Sequence, residues 1–309
     1  MQVWLPSAEL KDKVGVLDQV ATEAVTDWDP GALPDSKAQV EVVVPPQDYS
    51  DDFRAVAEQL PQLRVVQTLS AGIDQYRGAL PAGVRLYNAS GVHVAATAEW
   101  VLAAILACER KLLTFHDQGR AGIWAPQPSQ GLYGARILII GAGEIGTAVG
   151  ERLAPFGARV TFVARHAREG AVGVAHVGDH LPDSDVVVLL VPQTNETVRL
   201  VDARFLSSMK DGALLVNAAR GPVVDSAALL EQVASGRLRA ALDVFDPEPP
   251  EPSSPIWSLP GLLLTPHIAS NVPGVAYRQA ALLRTRLPAF ARGEQVLSER
   301  DMGYRGDPR

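Results

Sequence analysis

The 309-residue chain contains one cysteine, Cys108, so no intrachain disulfide can form. Cys108 closes the apolar run 100–108 and reads as a buried structural thiol rather than a nucleophile. No stretch approaches the roughly 18–20 uninterrupted apolar residues of a membrane span. The opening MQVWLPSAEL has neither a basic leading region nor a long apolar one, so the expectation is a cytoplasmic protein with no membrane partner. Basic residues are not in excess. The 28 Lys and Arg against 35 Asp and Glu leave a formal charge of −7, which weighs against a nucleic-acid surface, since such surfaces need a basic patch. An anionic ligand must then be met by locally placed cations and amides. No repeat of fixed period and no low-complexity segment is found.

What is present is ordinary for a folded protein: 47% hydrophobic and 20% charged residues. The length suits two domains or one large one. Residues 40–44 form a β-branched run, 50–60 have helical apolar spacing, and 63–69 are a second short apolar strand, so the first third follows a βα pattern that favours a parallel sheet. Residues 97–113 read as one long, mostly buried helix, with Thr97 as N-cap and Glu99 in the first turn. Residues 119–134 read as a loop. The βα pattern resumes with strands expected at 136–140, 159–163, 186–191, 213–217, 240–244 and 262–264. Residues 271–290 read as a helix, and 299–309 as a loose polar end.

The strongest motif follows the strand 136–140: Gly141-Ala-Gly143-Glu144-Ile145-Gly146, opening a helix over 145–156. A lone GxGxxG says little, but here it has the strand before it and the helix after it that a dinucleotide site requires. Gly141 permits the tight turn, Gly143 lets the backbone approach a pyrophosphate, and Gly146 allows the helix to pack on the strand. The helix N-terminus supplies N–H donors and partial positive charge. An NAD site usually carries an acid about 20 residues on, bonding the ribose 2′-hydroxyl. Here that place falls at Ala164, followed by Arg165 and then Arg168. No carboxylate is expected there to repel a 2′-phosphate, and both arginines could pair with one, so NADP is favoured over NAD.

Three further groups lie just past successive strands, at the carboxyl edge where such sheets bind ligands. Arg220, after 213–217, offers a planar fork of donors to a carboxylate and an adjacent carbonyl. Asp243, Asp246 and Glu248 crowd a proline-rich turn after 240–244. Glu248 is the carboxylate suited to orient a histidine and favour its charged form, while Asp243 could bond a nicotinamide carboxamide. His267, after 262–264 and Thr265-Pro266, is a natural proton donor to a ketone, its ordinary pKa being about 6.5. The scattered histidines imply no metal.

GAGEIG, VPQTNET, VNAARGPVVD, ALDVFDPEPP and LTPHIASN in this order resemble the D-isomer-specific 2-hydroxyacid dehydrogenase family, which includes the glyoxylate/hydroxypyruvate reductases. The resemblance runs from about Leu69 to Asn271. It implies an α/β fold with two Rossmann-like domains of parallel sheet, the cofactor domain inserted in a flavodoxin-like substrate domain. Residues 1–96 with 272–309 would form the substrate domain and 97–271 the NAD(P)-binding domain. The family's catalytic arginine, glutamate and histidine fall on Arg220, Glu248 and His267. Further cofactor contacts are implied at Glu144, Ile145, Pro192, Thr197 and Ala218. The loop Ser70-Ala71-Gly72 would hold the substrate carboxylate with its amides. A homodimer joined through the cofactor domain is also implied.

The reading is then hydride transfer between NADPH, or NADH, and a small 2-keto acid such as glyoxylate or hydroxypyruvate. Two other readings stay open: a nicotinamide-binding sensor of the corepressor type, and a dehydrogenase of a non-ketoacid such as formate or phosphite. Formate enzymes of the family carry glutamine where Glu248 stands, and no lysine lies at 70–73 to hold phosphite. His93 either faces the cleft or is an ordinary loop histidine.

Overall fold

A computed structural model describes residues 1–47, 53–76, 78–294 and 296. The chain divides into two compact units, Met1–His93 with Val272–Arg309, and Val94–Asn271.

The first unit runs β1 (Gln2–Leu5), α1 (Ala8–Val14), β2 (Ala21–Ala24), β3 (Val40–Val43), α2 (Phe53–Ala57), β4 (Val65–Gln67) and β5 (Arg85–Tyr87). Its five strands are all parallel, in the order β2-β1-β3-β4-β5. This is the flavodoxin-like order. Side chains alternate between the faces, as the two-residue strand period requires. Trp4, Val43 and Val66 meet α2 on one side, while Val3, Val42 and Val65 face the other.

The second unit contains α3 (Val94–Glu109), α4 (Leu112–Arg120), β6 (Arg136–Ile140), α5 (Glu144–Leu153), β7 (Arg159–Ala164), β8 (Val172–Gly173), β9 (Val186–Leu189), α6 (Ala203–Ser208), β10 (Leu214–Asn217), α7 (Ser226–Ala234), β11 (Arg239–Leu242) and β12 (Leu262–Leu264). These seven strands are also parallel, in the order β12-β11-β10-β9-β6-β7-β8. This is the doubly wound order of dinucleotide-binding folds with one strand added, and it reverses direction between β6 and β9. Both faces are covered, so the strands read as nearly continuous apolar runs. Helices α3 and α5 pack on Ile137, Ile139, Val186 and Val188, while α6 and α7 pack on Leu138, Ile140, Val187 and Leu189.

Helix α8 (Gly274–Ala291) returns to the first unit. Its Leu283, Leu287 and Phe290 are at most 1% exposed, against Val3, Leu5 and Val65. Burying each such side chain stabilises by about 1.5–3 kcal/mol, so this stripe pins the helix.

Several expectations change in detail. Thr97 is not an N-cap: it lies inside α3, buried, because the apolar run begins at Val94. The single helix over 97–113 is two, broken where Lys111 takes a left-handed conformation at φ 51°. Helix α4 then takes up the start of the expected loop. Of the helix expected over 50–60, residues 50–52 lie outside the described residues. No helix among the described residues is long and apolar enough to cross a membrane. Burial lifts the Cys108 thiol to about 11, which leaves it protonated and a poor nucleophile at neutral pH.

Candidate active site

The second sheet ends on one row. Register pairs Val163 with Ile140, Ile140 with Leu189, Leu189 with Asn217, Asn217 with Leu242, and Leu242 with Leu264. Each candidate group follows a member of this row within a few residues: Gly141, Arg165, Pro192, Arg220, Asp243 and His267. In-register termination thus brings residues from over 120 positions of sequence to one edge.

At the switch between β6 and β9, Gly141 has φ 122°, and a Cβ there would lie 2.4 Å from the Leu190 carbonyl oxygen. Only glycine fits the close approach and the left-handed backbone. A Cβ on Gly146 would lie 2.0 Å from the Gly141 carbonyl oxygen, so the helix sits directly on the turn. At Gly143 the space is open. The result is a glycine turn opening on the N-terminus of the ten-residue α5, beginning with Glu144 and Ile145, a cradle whose donors suit a pyrophosphate. Across the switch, Thr197 Oγ1 donates to the Pro192 carbonyl (2.6 Å) and accepts from the Thr194 amide (2.8 Å), which fixes the turn after β9.

The two arginines are less free than the sequence suggested. Arg168 donates to the Ala142 carbonyl within the glycine turn. Arg165 is ion-paired with Glu196, from the turn after β9. The expectation that no carboxylate stands at this place is therefore corrected. Glu196 reaches it from a different strand, which counting forward from Gly141 could not reveal.

Arg220 leaves the end of β10 in extended conformation, half-buried, with its guanidinium donating to the Ala219 carbonyl at 2.8 Å. The buried Asn217 shapes this turn. Its Oδ1 accepts from the Ala219 amide (3.0 Å) and its Nδ2 donates to the Arg220 carbonyl (3.1 Å). Ala218 lies between them, partly exposed. Gly221 then presses against the next loop, since a Cβ there would lie 2.0 Å from the Phe245 carbonyl oxygen.

His267 Nδ1 and Glu248 Oε1 are 2.8 Å apart. A carboxylate can only accept, so Nδ1 carries the proton, and Nε2 is left to face outward chemistry. The Glu248 hydrogen bond raises the pKa of His267. Desolvation and the positive charge of Arg220 oppose the rise, while the charges of Glu248 and Asp243 support it. His267 has φ 52°, a conformation rare outside glycine that signals local strain held by its surroundings.

Asp243 supplies that hold. It is 2% exposed. Its Oδ1 accepts from Thr265 Oγ1 (2.6 Å) and the Ile268 amide (2.8 Å), and its Oδ2 from the Ala269 amide (2.8 Å). The His267 amide donates to the Asp243 carbonyl (2.8 Å). A nicotinamide carboxamide would have to share these oxygens. Glu196 was not anticipated from the sequence, and Thr265, Asn217 and Gly221 were read there only as parts of the turns that follow the strands. Asn217 alone left a signal, as a polar residue closing a fully apolar strand.

In the first unit, four consecutive carbonyls of the Ser70 loop are engaged. His93 Nε2 donates to Leu69 (2.7 Å), Thr68 Oγ1 to Ser70 (2.9 Å), Asn88 Nδ2 to Ala71 (3.3 Å) and Ser70 Oγ to Gly72 (2.6 Å). In a trans peptide the N–H points opposite its C=O. The amides of Ser70, Ala71 and Gly72 are therefore turned away from these donors. His93 is buried, and burial lowers its pKa, so it serves this loop as a neutral donor.

A doubly wound sheet with a glycine cradle at its switch point, and an arginine beside a carboxylate-held histidine on the same edge, defines a nicotinamide-dependent oxidoreductase. Residues 102–269 match the family described as D-isomer specific 2-hydroxyacid dehydrogenase, NAD binding domain. The glyoxylate reductase of Korarchaeum cryptofilum is 34% identical over 298 residues, covering 92% of this chain and 86% of the relative. That of Pyrococcus furiosus is 36% identical over 256 residues, 77% of this chain and 76% of the relative. The crystal structure of a D-isomer specific 2-hydroxyacid dehydrogenase from Xanthobacter autotrophicus Py2, in complex with NADPH and MES, superposes with a TM-score of 0.83 at 28% identity, covering 98% of this chain and 99% of that one. The chain belongs to the D-isomer specific 2-hydroxyacid dehydrogenase family and is an NAD(P)-dependent enzyme.

Proposed function

We propose that the protein reduces a small 2-keto acid, such as glyoxylate or hydroxypyruvate, and favours NADPH over NADH. The observation that carries this reading is the 2.8 Å His267–Glu248 pair with its raised histidine pKa, on the same sheet edge as Arg220 and the glycine cradle. The cradle of Gly141, Gly143 and Gly146 and the α5 N-terminus with Glu144 and Ile145 would hold the dinucleotide, flanked by Pro192, Thr197 and Ala218. When bound, the nicotinamide supplies a hydride to the keto carbon. Arg220 grips the substrate carboxylate and polarises the carbonyl. His267, kept charged by Glu248, gives its Nε2 proton to the carbonyl oxygen as that oxygen gains negative charge, and becomes neutral. Asp243 orients the histidine turn, and a nicotinamide carboxamide would share the carboxylate oxygens that hold it. The amides of Ser70, Ala71 and Gly72 would hold the substrate carboxylate, as the family resemblance implies.

Arg165 and Arg168, at the end of β7, are assigned the ribose 2′-phosphate; guanidinium–phosphate pairs are among the strongest charge-assisted bonds. A homodimer through the cofactor-binding unit is supported by the exposed Leu112, Leu113 and Trp124 on and beyond α4, at 53%, 47% and 97%. A cytoplasmic location accords with a reaction drawing on the cellular NADPH pool. Loss of absorbance at 340 nm, with NADPH and NADH in parallel against glyoxylate, hydroxypyruvate, pyruvate and bulkier 2-keto acids, tests the reading. Turnover favouring NADPH supports it. Cofactor binding without turnover on any of them would instead favour a sensor or a non-ketoacid dehydrogenase.

A further inference from the structure

The sheet order places β7 and β9 on opposite sides of β6. Arg165 follows β7, and Glu196 stands in the turn after β9. Their ion pair therefore bridges the loops on either side of the glycine turn that follows β6. The turn carrying Glu196 is held by the Thr197 hydroxyl, so the carboxylate is delivered from a fixed base. Arg168 is tied into the same place through the Ala142 carbonyl. The cation assigned to a 2′-phosphate thus has an anionic partner within the protein itself.

We infer that Glu196 is a specificity-determining residue that competes with the cofactor's 2′-phosphate for Arg165. This rests on the reading of Arg165 given above. NADPH must displace the Glu196 carboxylate from the guanidinium and then tolerate a like charge nearby. NADH carries a 2′-hydroxyl, has no claim on Arg165 and leaves the pair intact. Glu196 therefore weakens NADPH selectively and narrows the preference that the arginines create. The side chains are 68% and 58% exposed, so the effect is screened by salt and modest in size.

Glu196→Gln keeps the shape of the side chain and removes its charge. Fluorescence titration of the full chain with NADPH and NADH should show the NADPH Kd falling about three- to fivefold, as expected for loss of an exposed competing charge. The NADH Kd should stay within about twofold, and the NADPH gain should shrink as salt is raised. The route through Arg165 is tested by a double-mutant cycle: in an Arg165→Ala background, Glu196→Gln should no longer tighten NADPH by this margin. If Arg165→Ala weakens NADPH selectively but Glu196→Gln leaves it unchanged, or tightens both cofactors alike, the inference is overturned while the phosphate reading stands. If Arg165→Ala weakens both cofactors equally, the phosphate reading falls and Glu196's role falls with it.

Discussion

Gly221→Ala tests whether the spacing of the sheet edge, rather than the mere presence of its side chains, supports activity. Gly221 has no positive φ to explain it, so the demand for glycine is steric. An added methyl would lie 2.0 Å from the Phe245 carbonyl oxygen, 2.3 Å from its carbon and 2.9 Å from the Asp246 nitrogen. All three are backbone atoms and none can rotate away. Reaching ordinary contact near 3.5 Å requires the two segments to part by about 1.5 Å. One segment carries Arg220 and the other leads into Glu248. A misplacement of about 1 Å can lower a rate on the order of 100-fold, and overpacking costs about 1–3 kcal/mol of stability. Initial rates of NADPH oxidation with glyoxylate should show kcat/KM down by about two orders of magnitude, with NADPH still bound. Gly178→Ala, at a site with open space in the same unit, should be silent. A Gly221→Ala enzyme with kcat/KM within about twofold of wild type would show that the spacing between these two segments does not limit activity.

Arg220→Lys keeps the charge but loses the planar fork, so kcat/KM should fall by at least about 100-fold, approaching the loss in Arg220→Ala; full activity in the lysine variant would mean that charge alone suffices. Asp243→Asn leaves buried amides of the His267 turn short of an acceptor, so stability should drop by about 1–3 kcal/mol and kcat should fall with it; chemical denaturation and steady-state rates check both. His267→Ala should chiefly lower kcat, by about 100-fold or more, with cofactor Kd unchanged.

The second unit was largely legible because each strand there is a buried apolar run closed by a chemically marked turn, so Arg136–Ile140 and Leu262–Leu264 match the expected strands. The first unit was harder. Its β1, β2 and β5 are short and each carries polar residues (Gln2; Thr22 and Glu23; Arg85), so none stands out as an apolar run. The break at Lys111 was hidden because both flanking segments are helical in pattern. Within the site, Arg220, Glu248 and His267 announced themselves by residue type after strand ends. Their supports did not: Thr265 and Gly221 act through contacts between neighbouring loops, and Glu196 reaches Arg165 across an intervening strand. Such pairings depend on strand order, which local spacing does not encode.

In the proposed reaction His267, held charged by Glu248, protonates the ketone during reduction. The pH profile of kcat for 2-keto acid reduction, in wild type and in Glu248→Gln, reads this proton transfer. The Glu248 hydrogen bond raises the His267 pKa, so the proton is present below that pKa and reduction fades as pH rises through it. Removing the carboxylate's charge lowers the pKa, and the falling limb should move to lower pH with a reduced rate at neutrality. A limb at the same pH in both proteins would mean that Glu248 does not hold the charge on the proton donor.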